Sequence, residues 1–342
     1  MRLFVTGGAG YVGSVVAEHL AREGHEVTVF DDLSTGHAAA VPPAARLVVG
    51  DLRDIPALRR ALVAGTDAVL HFAAKSLVGE SERDPLGYYE HNLGGAICLL
   101  RVMQERGVRR FLFSSSAGVY GAPATQPIPE SEPPRPTHAY GGSKRAVEML
   151  LEDASRALGL GAVWLRYFNA AGASERCGED HRPETHLLPL LLRAALAADP
   201  AAVPIYGDDY PTPDGTCVRD YVHVEDLAAA HVRALGALDT GLRGAVNLGG
   251  GLGQSVLEIL AAVRRVTGRP IPVRVAPRRL GDPPVLVADA SRAGRELGWQ
   301  ATRGLEAIVS SAWRWLQAHP DGYVDGEADE RGEGRGEDRS GA

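Results

Sequence analysis

The turn Thr6-Gly7-Gly8-Ala9-Gly10-Tyr11-Val12-Gly13 decides the fold of this chain. A short run of β-favouring residues, Arg2–Val5, precedes it, and Ser14–Glu23 follows with helical periodicity. Glycines at positions 8, 10 and 13, or equally at 7, 10 and 13, let a backbone turn tightly and approach a pyrophosphate, whose charge a helix N-terminus stabilises. The strand–turn–helix context therefore predicts a dinucleotide-binding unit.

The first half of the chain alternates between strand-like and helix-like segments. Such alternation predicts an α/β fold, a Rossmann-type doubly wound parallel sheet with helices on both faces. Further strands are predicted at Val27–Phe30, Arg46–Val49, Ala68–Phe72, Arg110–Phe113 and Ala162–Leu165, and further helices at Ile55–Val63, Pro85–Arg106 and Ala139–Leu158.

The pattern changes after Asn169, where segments rich in Pro, Gly and Asp appear at His181–Pro183 and Pro200–Gly215 and are predicted as loops. We expect a nucleotide-binding domain over residues 1–168 and a smaller mixed substrate domain over 169–320, with some segments returning to the first domain. A disordered tail is expected over 321–342, because from Asp325 onward no apolar residue larger than Ala occurs. In the second domain the predicted helices are Leu187–Ala197, Val224–Leu235, Val256–Val266 and Leu305–Ala318, and the predicted strands are Ala245–Leu248 and Pro272–Val275.

The composition argues against several classes of partner. The 342 residues carry a net charge of −7 without a basic run, so no nucleic-acid partner is expected. No charged leader precedes the first strand, and no stretch approaches the roughly 18 apolar residues of a membrane span, so we expect a cytoplasmic protein without a membrane partner. Cys98, Cys177 and Cys217 lack zinc-site spacing and predict free thiols and no metal site.

Two aspartates follow predicted strands at the edge where a dinucleotide would lie. Asp31 comes about 20 residues after the glycine turn, where a carboxylate accepts hydrogen bonds from a ribose 2′-hydroxyl. No Arg lies between Asp31 and Gly36 to bind a 2′-phosphate, which favours NAD over NADP. Asp51 ends the third strand, and it either reaches the adenine ring or caps the following helix.

Tyr140 and Lys144 are candidate catalytic residues near the start of a predicted helix. Residues four apart lie on one helical face, with about 5–6 Å between their Cβ atoms. A tyrosine hydroxyl titrates near 10, but a neighbouring cation favours the phenolate, which could take a proton from an alcohol. A Tyr-x-x-x-Lys pattern is common by chance. Its significance here depends on the nucleotide-binding turn and on Ser114-Ser115-Ser116 upstream.

These motifs together resemble the extended short-chain dehydrogenase/reductase family, in which a glycine turn, a Ser, a Tyr and a Lys occur in this order and approximate spacing. Finer detail resembles one subgroup, the UDP-glucose 4-epimerases. The most specific stretches are residues 207–212, which run into 214–224, and residues 276–282. The resemblance extends over residues 1–320, nearly everything outside the tail.

The resemblance implies an NAD-dependent interconversion of UDP-galactose and UDP-glucose, by oxidation at C4, rotation of the 4-keto sugar and re-reduction on its opposite face. By the same resemblance Tyr140 is the base, a phenolate stabilised by Lys144 and the nicotinamide charge, and Ser116 hydrogen-bonds the reacting oxygen. Relatives of this type are usually homodimers, for which the helices at 85–106 and 139–158 offer an apolar interface.

Two sets of binding residues are implied by the resemblance. Arg219 and Arg279 would fork onto phosphate oxygens, Tyr206 would stack near the uracil, and Asp282 would accept a ribose hydroxyl. The UDP-sugar set is Ser116, Tyr140, Asn169, Leu187, Tyr206, Arg219, Arg279 and Asp282. The NAD set is Gly7, Gly10, Tyr11, Val12, Gly13, Asp31, Asp32, Leu33, Ser34, Thr35, Gly36, Asp51, Leu52, Phe72, Ala73, Ala74, Lys75, Ser76, Asn92, Ser114, Tyr140, Lys144 and Phe168.

Alternatives remain open from the sequence. A 4-epimerase for N-acetylated or pentose UDP-sugars would differ at the far side of the sugar, where Leu286 is of intermediate size. A 4,6-dehydratase needs an acid and a base that Ser116-Ala117-Gly118 does not offer. A non-catalytic NAD-binding regulator usually lacks the Tyr or the Lys. Ser76, Gly118 and His186 depart from the pattern, since relatives often carry Lys, Thr and Asn at these positions.

Overall fold

The computed structural model of the protein describes residues 1–279 and 281–324. Within them the predicted strand–turn–helix unit opens an alternating α/β arrangement. The strands are β1 (Arg2–Thr6), β2 (Glu26–Asp31), β3 (Arg46–Val49), β4 (Ala68–His71), β5 (Arg110–Ser116), β6 (Gly161–Tyr167), β7 (Asn169–Ala171), β8 (Val203–Tyr206), β9 (Val218–His223), β10 (Gly244–Leu248), β11 (Gly253–Ser255), β12 (Val273–Ala276) and β13 (Val285–Leu286). The helices are α1 (Tyr11–Arg22), α2 (Ile55–Ala61), α3 (Val78–Ser81), α4 (Pro85–Tyr89), α5 (Gly95–Arg106), α6 (Ala139–Leu158), α7 (Leu187–Leu196), α8 (Val224–Ala237), α9 (Val256–Thr267), α10 (Ser291–Leu297) and α11 (Leu305–Ala318).

The central sheet has seven parallel strands in the order β10-β6-β5-β4-β1-β2-β3. The chain first adds strands on one side of β1 and then continues on the other side through β4, β5 and β6, which is the doubly wound order. The predicted Rossmann-type fold is therefore confirmed. Thr6 of β1 lies beside His71 of β4, so the point where the strand order reverses is at the ends of these two strands. A crevice for a ligand opens at such a point.

Helices cover both faces of this sheet, as a parallel sheet requires. Side chains alternate along β1: Leu3 and Val5 pack with α1 and α8 on one face, whereas Phe4 packs with α2, α5 and α6 on the other. Both α8 and β10 come from the second half of the chain, so that half returns to the central sheet.

A second core lies among α7, α9 and α11. It is bordered by a sheet of β7, β9, β11 and β13 and by the parallel pair β8–β12. The prediction of a loop over Pro200–Gly215 is wrong in part, because β8 lies within it. Val203 and Ile205 are buried there, and Val203 pairs with Val273 of β12. A partner so distant in the sequence leaves no local periodic signal.

The last described residues, 321–324, pack against the nucleotide-binding half. The ring of Tyr323 stacks on His37 with 4.8 Å between ring centroids, and its hydroxyl accepts a hydrogen bond from the Gly178 amide at 3.0 Å. Residues 325–342, which make up the rest of the predicted tail, lie outside the described residues. Among the helices of the described part, none has both the length and the apolar character needed to cross a bilayer.

A buried polar network fastens α6 to the central sheet. Arg166 of β6 donates two hydrogen bonds to the carboxylate of Glu148 on α6, at 2.8 and 2.7 Å. The hydroxyl of Ser115 on β5 donates to the same carboxylate at 2.6 Å. Arg166 also donates to the hydroxyl of Tyr120, which in turn donates to Asn247 of β10. The network thus joins the helix that carries Tyr140 and Lys144 to three strands.

Replacing Glu148 by Gln should destabilise the protein by about 3–5 kcal/mol, because the change leaves the buried Arg166 guanidinium without a counter-charge. The measurement is urea unfolding followed by circular dichroism. The matched control is Glu152→Gln on the same helix, which removes a more exposed ion pair with Arg145 and should cost less than about 1 kcal/mol. Equal losses in the two variants would contradict the assignment of Glu148 as the fastening residue.

Candidate active site

An open cleft with a volume of about 330 Å³ lies at the carboxyl ends of β1 to β4. This volume is within the roughly 300–1,000 Å³ of a small-molecule pocket, and the lining runs across the ends of four strands, which suits an extended ligand. The predicted NAD set contributes Gly7, Gly10, Asp31, Asp32, Ser34, Thr35, Gly36, Asp51, Leu52, Phe72, Ala73, Ala74, Lys75 and Ser76 to the lining.

Three of the four glycines of the turn have different physical roles. Gly7 has a positive φ of 72°, and a Cβ there would clash with the backbone of Ala73. A Cβ on Gly13 would clash with the carbonyl of Gly7, so this glycine lets α1 pack closely. Gly10 has an extended backbone with φ −80°, and a Cβ there would meet only ordinary contact, 3.4 Å from the Gly7 carbonyl oxygen. Gly10 is therefore not needed by the fold, and it faces the cleft.

Asp31 is held rigidly at the floor of the cleft. Its carboxylate accepts hydrogen bonds from the amides of Ala9 at 2.9 Å and Leu33 at 3.0 Å, and Leu33 itself has a positive φ of 57°. Burial raises the pKa of Asp31, although these two hydrogen bonds oppose the shift. The loop after β2 folds on itself, because Asp32 accepts the amide and hydroxyl of Ser34. Asp31 thus presents a fixed acceptor at the end of β2.

Asp51 lines the cleft, and the alternative that it caps α2 is wrong. Asp54 is the cap, because its carboxylate accepts the amide of Ala57 at 3.0 Å. Asp51 instead pairs with Arg53, whose Nη2 lies 2.5 Å from its Oδ2. Hydrogen bonding from Arg53 lowers the pKa of Asp51.

Several other members of the NAD set make contacts that hold neighbouring elements together. Tyr11 donates to the Gly172 carbonyl at 2.6 Å, and Val12 packs on the core of α1. Asn92 accepts the amide of Lys75 at 2.8 Å and donates to Ser143 of α6 at 2.9 Å, so it ties the loop after β4 to that helix. Phe168 is buried in a small cluster that includes Ala117 and, at its edge, Leu286.

Tyr140 and Lys144 lie one helical turn apart in the first turns of α6. Lys144 Nζ donates to the carbonyl of Ser114 at 2.8 Å, and lies 4.9 Å from the ring centroid of Phe113 and 5.9 Å from that of Tyr140. Ser116, at the end of β5, accepts the Gly118 amide through its hydroxyl at 3.1 Å. The predicted catalytic residues are therefore brought to one place, where β5 and α6 meet.

The sequence did not indicate the residue that begins this helix. His138 caps α6 by accepting the amide of Gly141 on Nδ1 at 3.0 Å, and its ring stacks on that of Tyr140 with 5.9 Å between centroids. Histidine is not one of the preferred N-cap residues, which is why the cap gave no sequence signal.

The electrostatics of the pair differ from the expectation of a ready phenolate. Burial raises the pKa of Tyr140, and hydrogen bonding with Ser116 offsets only part of this shift. Burial also lowers the pKa of Lys144 to about 7, against the attraction of Glu148. Desolvation thus disfavours both charged forms. A lower pKa for Tyr140 would require a further positive charge near its hydroxyl.

The predicted UDP-sugar residues of the second half form two pairs. Arg219 on β9 donates to Asp282 at 2.5 Å, and the guanidinium of Arg279 lies 4.2 Å from the ring centroid of Tyr206. Arg219, Arg279 and Asp282 all lie close enough to Cys217 to influence its pKa, which burial raises. The two pairs therefore belong to one charged region. Asn169 begins β7 and Leu187 begins α7.

Two further groups were missed by the sequence analysis. His71 is fully buried at the end of β4, where its Nδ1 lies 2.7 Å from the Thr6 hydroxyl, and burial lowers its pKa to about 3. This neutral histidine fixes the reversal point of the sheet. The second group is a cluster of Glu179, His181, Glu184 and His186 in the segment before α7. Two His and two Glu within eight residues were the available signal for it.

Comparison with known proteins identifies the family of the chain. Residues 3–249 match the model of the NAD dependent epimerase/dehydratase family. The chain is 51% identical over 326 residues to a UDP-glucose 4-epimerase of Streptomyces lividans, covering 95% of this chain and 98% of that one. It is 48% identical to the same enzyme of Lacticaseibacillus casei, covering 95% and 99%. The solved structure of UDP-glucose 4-epimerase from Bifidobacterium longum in complex with NAD+ and UDP has a TM-score of 0.90 and 38% identity, covering 94% and 100%.

Fold and site together define a Rossmann-type dinucleotide-binding protein with a Tyr–Lys pair where α6 meets β5, the strand next to β4. The chain belongs to the NAD dependent epimerase/dehydratase family.

Gly10→Ala should leave the fold intact and weaken NAD binding by about 10-fold to 100-fold, because its methyl group enters the cleft and not the core. Calorimetric titration of NAD into cofactor-stripped protein gives the affinity, and thermal unfolding gives the stability. Gly236→Ala, in a part of α8 with open space around the position, is the control: it should keep the wild-type NAD affinity and should not lower the stability. Undiminished NAD affinity of Gly10→Ala would show that the ligand does not pass over this glycine.

Lys144 should make the unfolding free energy depend on pH. Its pKa is about 7 in the folded protein against 10.5 ordinarily, so between these values the unfolded chain binds a proton that the native state does not. Unfolding free energy should therefore rise with pH across this window. Urea unfolding of cofactor-free protein at pH 7 and pH 9.5 measures this rise, which Lys144→Met should lose. Lys75→Met, at the only other lysine, should keep it. An equal pH dependence in all three proteins would contradict the depressed pKa.

Proposed function

We propose that this protein is an NAD-dependent epimerase that interconverts UDP-galactose and UDP-glucose. The observation that carries the proposal is the convergence of Tyr140, Lys144 and Ser116 where α6 meets β5, the strand next to β4, whose following residues line the cleft. Near-full-length similarity to UDP-glucose 4-epimerases supports the particular sugar nucleotide.

The cleft suits NAD in its shape and in its polar groups. The backbone conformation at position 10 does not require glycine. A pyrophosphate that passes close to this backbone would explain why glycine is present there. Asp31 offers an acceptor for the adenosine ribose, and we propose that the full set predicted from the sequence contacts the cofactor. Bound NAD+ supplies the oxidation at the sugar C4 and its later reversal.

Tyr140 performs the proton transfer in this proposal. Its hydroxyl accepts the proton of the sugar C4 hydroxyl and later returns it, while Ser116 hydrogen-bonds the same sugar oxygen. Lys144 is anchored on the Ser114 carbonyl, so its ammonium is fixed beside the Tyr140 ring. The positive nicotinamide ring supplies the additional charge that the desolvated Tyr140 needs in order to ionise.

The charged region of the second half anchors the UDP group. Arg219 and Arg279 supply planar guanidinium donors that match phosphate oxygens, and Tyr206 offers a ring face next to them. Asp282 pairs with Arg219 and is placed to share it with a diphosphate. We propose Asn169 and Leu187 as further contacts. An anchor at the UDP end leaves the sugar free to rotate, and rotation is required to present its opposite face.

The organisation of the whole protein is also a proposal. We divide the chain at residues 1–168 and 169–320, with β10 and α8 returning to the central sheet. A homodimer is supported by exposed apolar side chains on neighbouring helices, namely Leu86, Tyr89 and Met149. A cytoplasmic location is supported by the three free cysteines.

Wild-type protein loaded with NAD should convert UDP-galactose to UDP-glucose without added reductant, and Tyr140→Phe should lower kcat by about 10²–10⁴-fold. Product formation is followed by chromatography of the sugar nucleotides. Tyr89→Phe, at an exposed tyrosine beside Gly142 of α6, is the control and should keep wild-type turnover.

Two results would count against the proposal. Unchanged turnover of Tyr140→Phe would remove Tyr140 as the base but leave the activity in place. Failure of folded, NAD-loaded wild-type protein to convert UDP-galactose would remove the activity itself.

A further inference from the structure

Four side chains with metal-ligating atoms converge in the segment between β7 and α7. One donor atom from each of Glu179, His181, Glu184 and His186 lies within 4.8 Å of all the others. His186 Nδ1 lies 2.8 Å from Glu179 Oε1 and 2.9 Å from Glu184 Oε1. His181 Nδ1 lies 3.2 Å from Glu179 Oε1 and 3.9 Å from Glu184 Oε2.

We infer that these four residues form a binding site for a divalent transition metal ion of the Zn²⁺ type. Two imidazole nitrogens and two carboxylate oxygens complete a tetrahedral set, whereas Mg²⁺ and Ca²⁺ prefer oxygen ligands alone. With metal–ligand distances of about 2.0–2.2 Å, tetrahedral donors are separated by about 3.3–3.6 Å. The observed separations bracket this value, so small side-chain rotations suffice.

An unpartnered buried atom points to a ligand at this place. The side chain of Glu184 is only 4% exposed. Its Oε1 accepts the amides of Thr185 and His186, both at 2.7 Å, which fixes the carboxylate. Its Oε2 is buried without a hydrogen-bond partner. A buried acceptor without a partner is costly, and Oε2 is directed at the cluster, where a cation would satisfy it.

The location indicates a structural role. His181 lines the wall of the dinucleotide cleft, and its ring meets that of Tyr11 edge-on at 6.5 Å. His186 directly precedes Leu187, the first residue of α7. An ion held by residues 179 to 186 would therefore fix, with one set of bonds, a wall of the cleft and the start of α7. The site is separate from the Tyr140–Lys144 pair and does not depend on the proposed reaction.

Metal binding is tested on the full-length protein without any activity assay. Protein stripped with a chelator and dialysed is titrated with Zn²⁺ against a chromophoric chelator, and in parallel with Co²⁺, whose visible bands report tetrahedral coordination. We expect one ion per chain, tetrahedral Co²⁺ bands and a higher thermal unfolding midpoint with Zn²⁺ but not with Mg²⁺. The double variant Glu184→Gln/His186→Gln should bind at least about 100-fold more weakly.

The matched control is Glu23→Gln/His25→Gln, which removes a surface Glu and His at the same spacing and should bind Zn²⁺ like the wild type. His181→Gln, a single substitution at another of the four ligands, provides a second variant in case the double variant does not fold. If wild-type protein takes up no Zn²⁺ or Co²⁺, or if folded variants bind as tightly as wild type, the four residues are only a set of ion pairs and the inference is wrong.

Discussion

The ion pair between Glu148 and Arg166 determines where the candidate catalytic residues lie. Both side chains are almost completely withdrawn from water, and two parallel hydrogen bonds join them. Burying either charge without the other would strongly destabilise the folded protein. Because Glu148 lies one turn after Lys144 on α6 and Arg166 lies on β6 of the central sheet, satisfying this pair places α6 in one position on the sheet. The locations of Tyr140 and Lys144 follow from the position of this helix.

The same dry environment sets the chemistry of the site. Burial raises the pKa of Tyr140 and lowers that of Lys144, so desolvation disfavours the charged form of both groups. In the proposed reaction, Tyr140 would be a base that ionises only when the positive nicotinamide ring is next to it. Desolvation is the largest influence on the pKa of Tyr140, and hydrogen bonding with Ser116 opposes it.

The segment between β7 and α7 connects the two halves of the site. Its residues line the dinucleotide cleft on one side and lead into α7 on the other. Asp180 adds a buried anchor, because it pairs with Arg182 and Arg193 and accepts the amide of Tyr323. Such an arrangement couples the position of the cleft wall to the second core, whether or not an ion also holds it.

The parts of this protein that were predictable from its sequence are those encoded by local spacing. The glycine turn, the alternation of strands and helices, Asp31 after the second strand and the shared face of Tyr140 and Lys144 each depend on residues close together in the chain. The predicted bounds of α6 agree with the structure residue for residue.

Tertiary structure decided what depends on distant partners and on the exclusion of water. Examples are β8 pairing with β12, the Arg219–Asp282 contact and the reversal of the expected shift at Tyr140. Spacing along a chain indicates which residues share a face of a helix or strand. It carries no information on which remote segment packs against that face, and desolvation arises only from that packing.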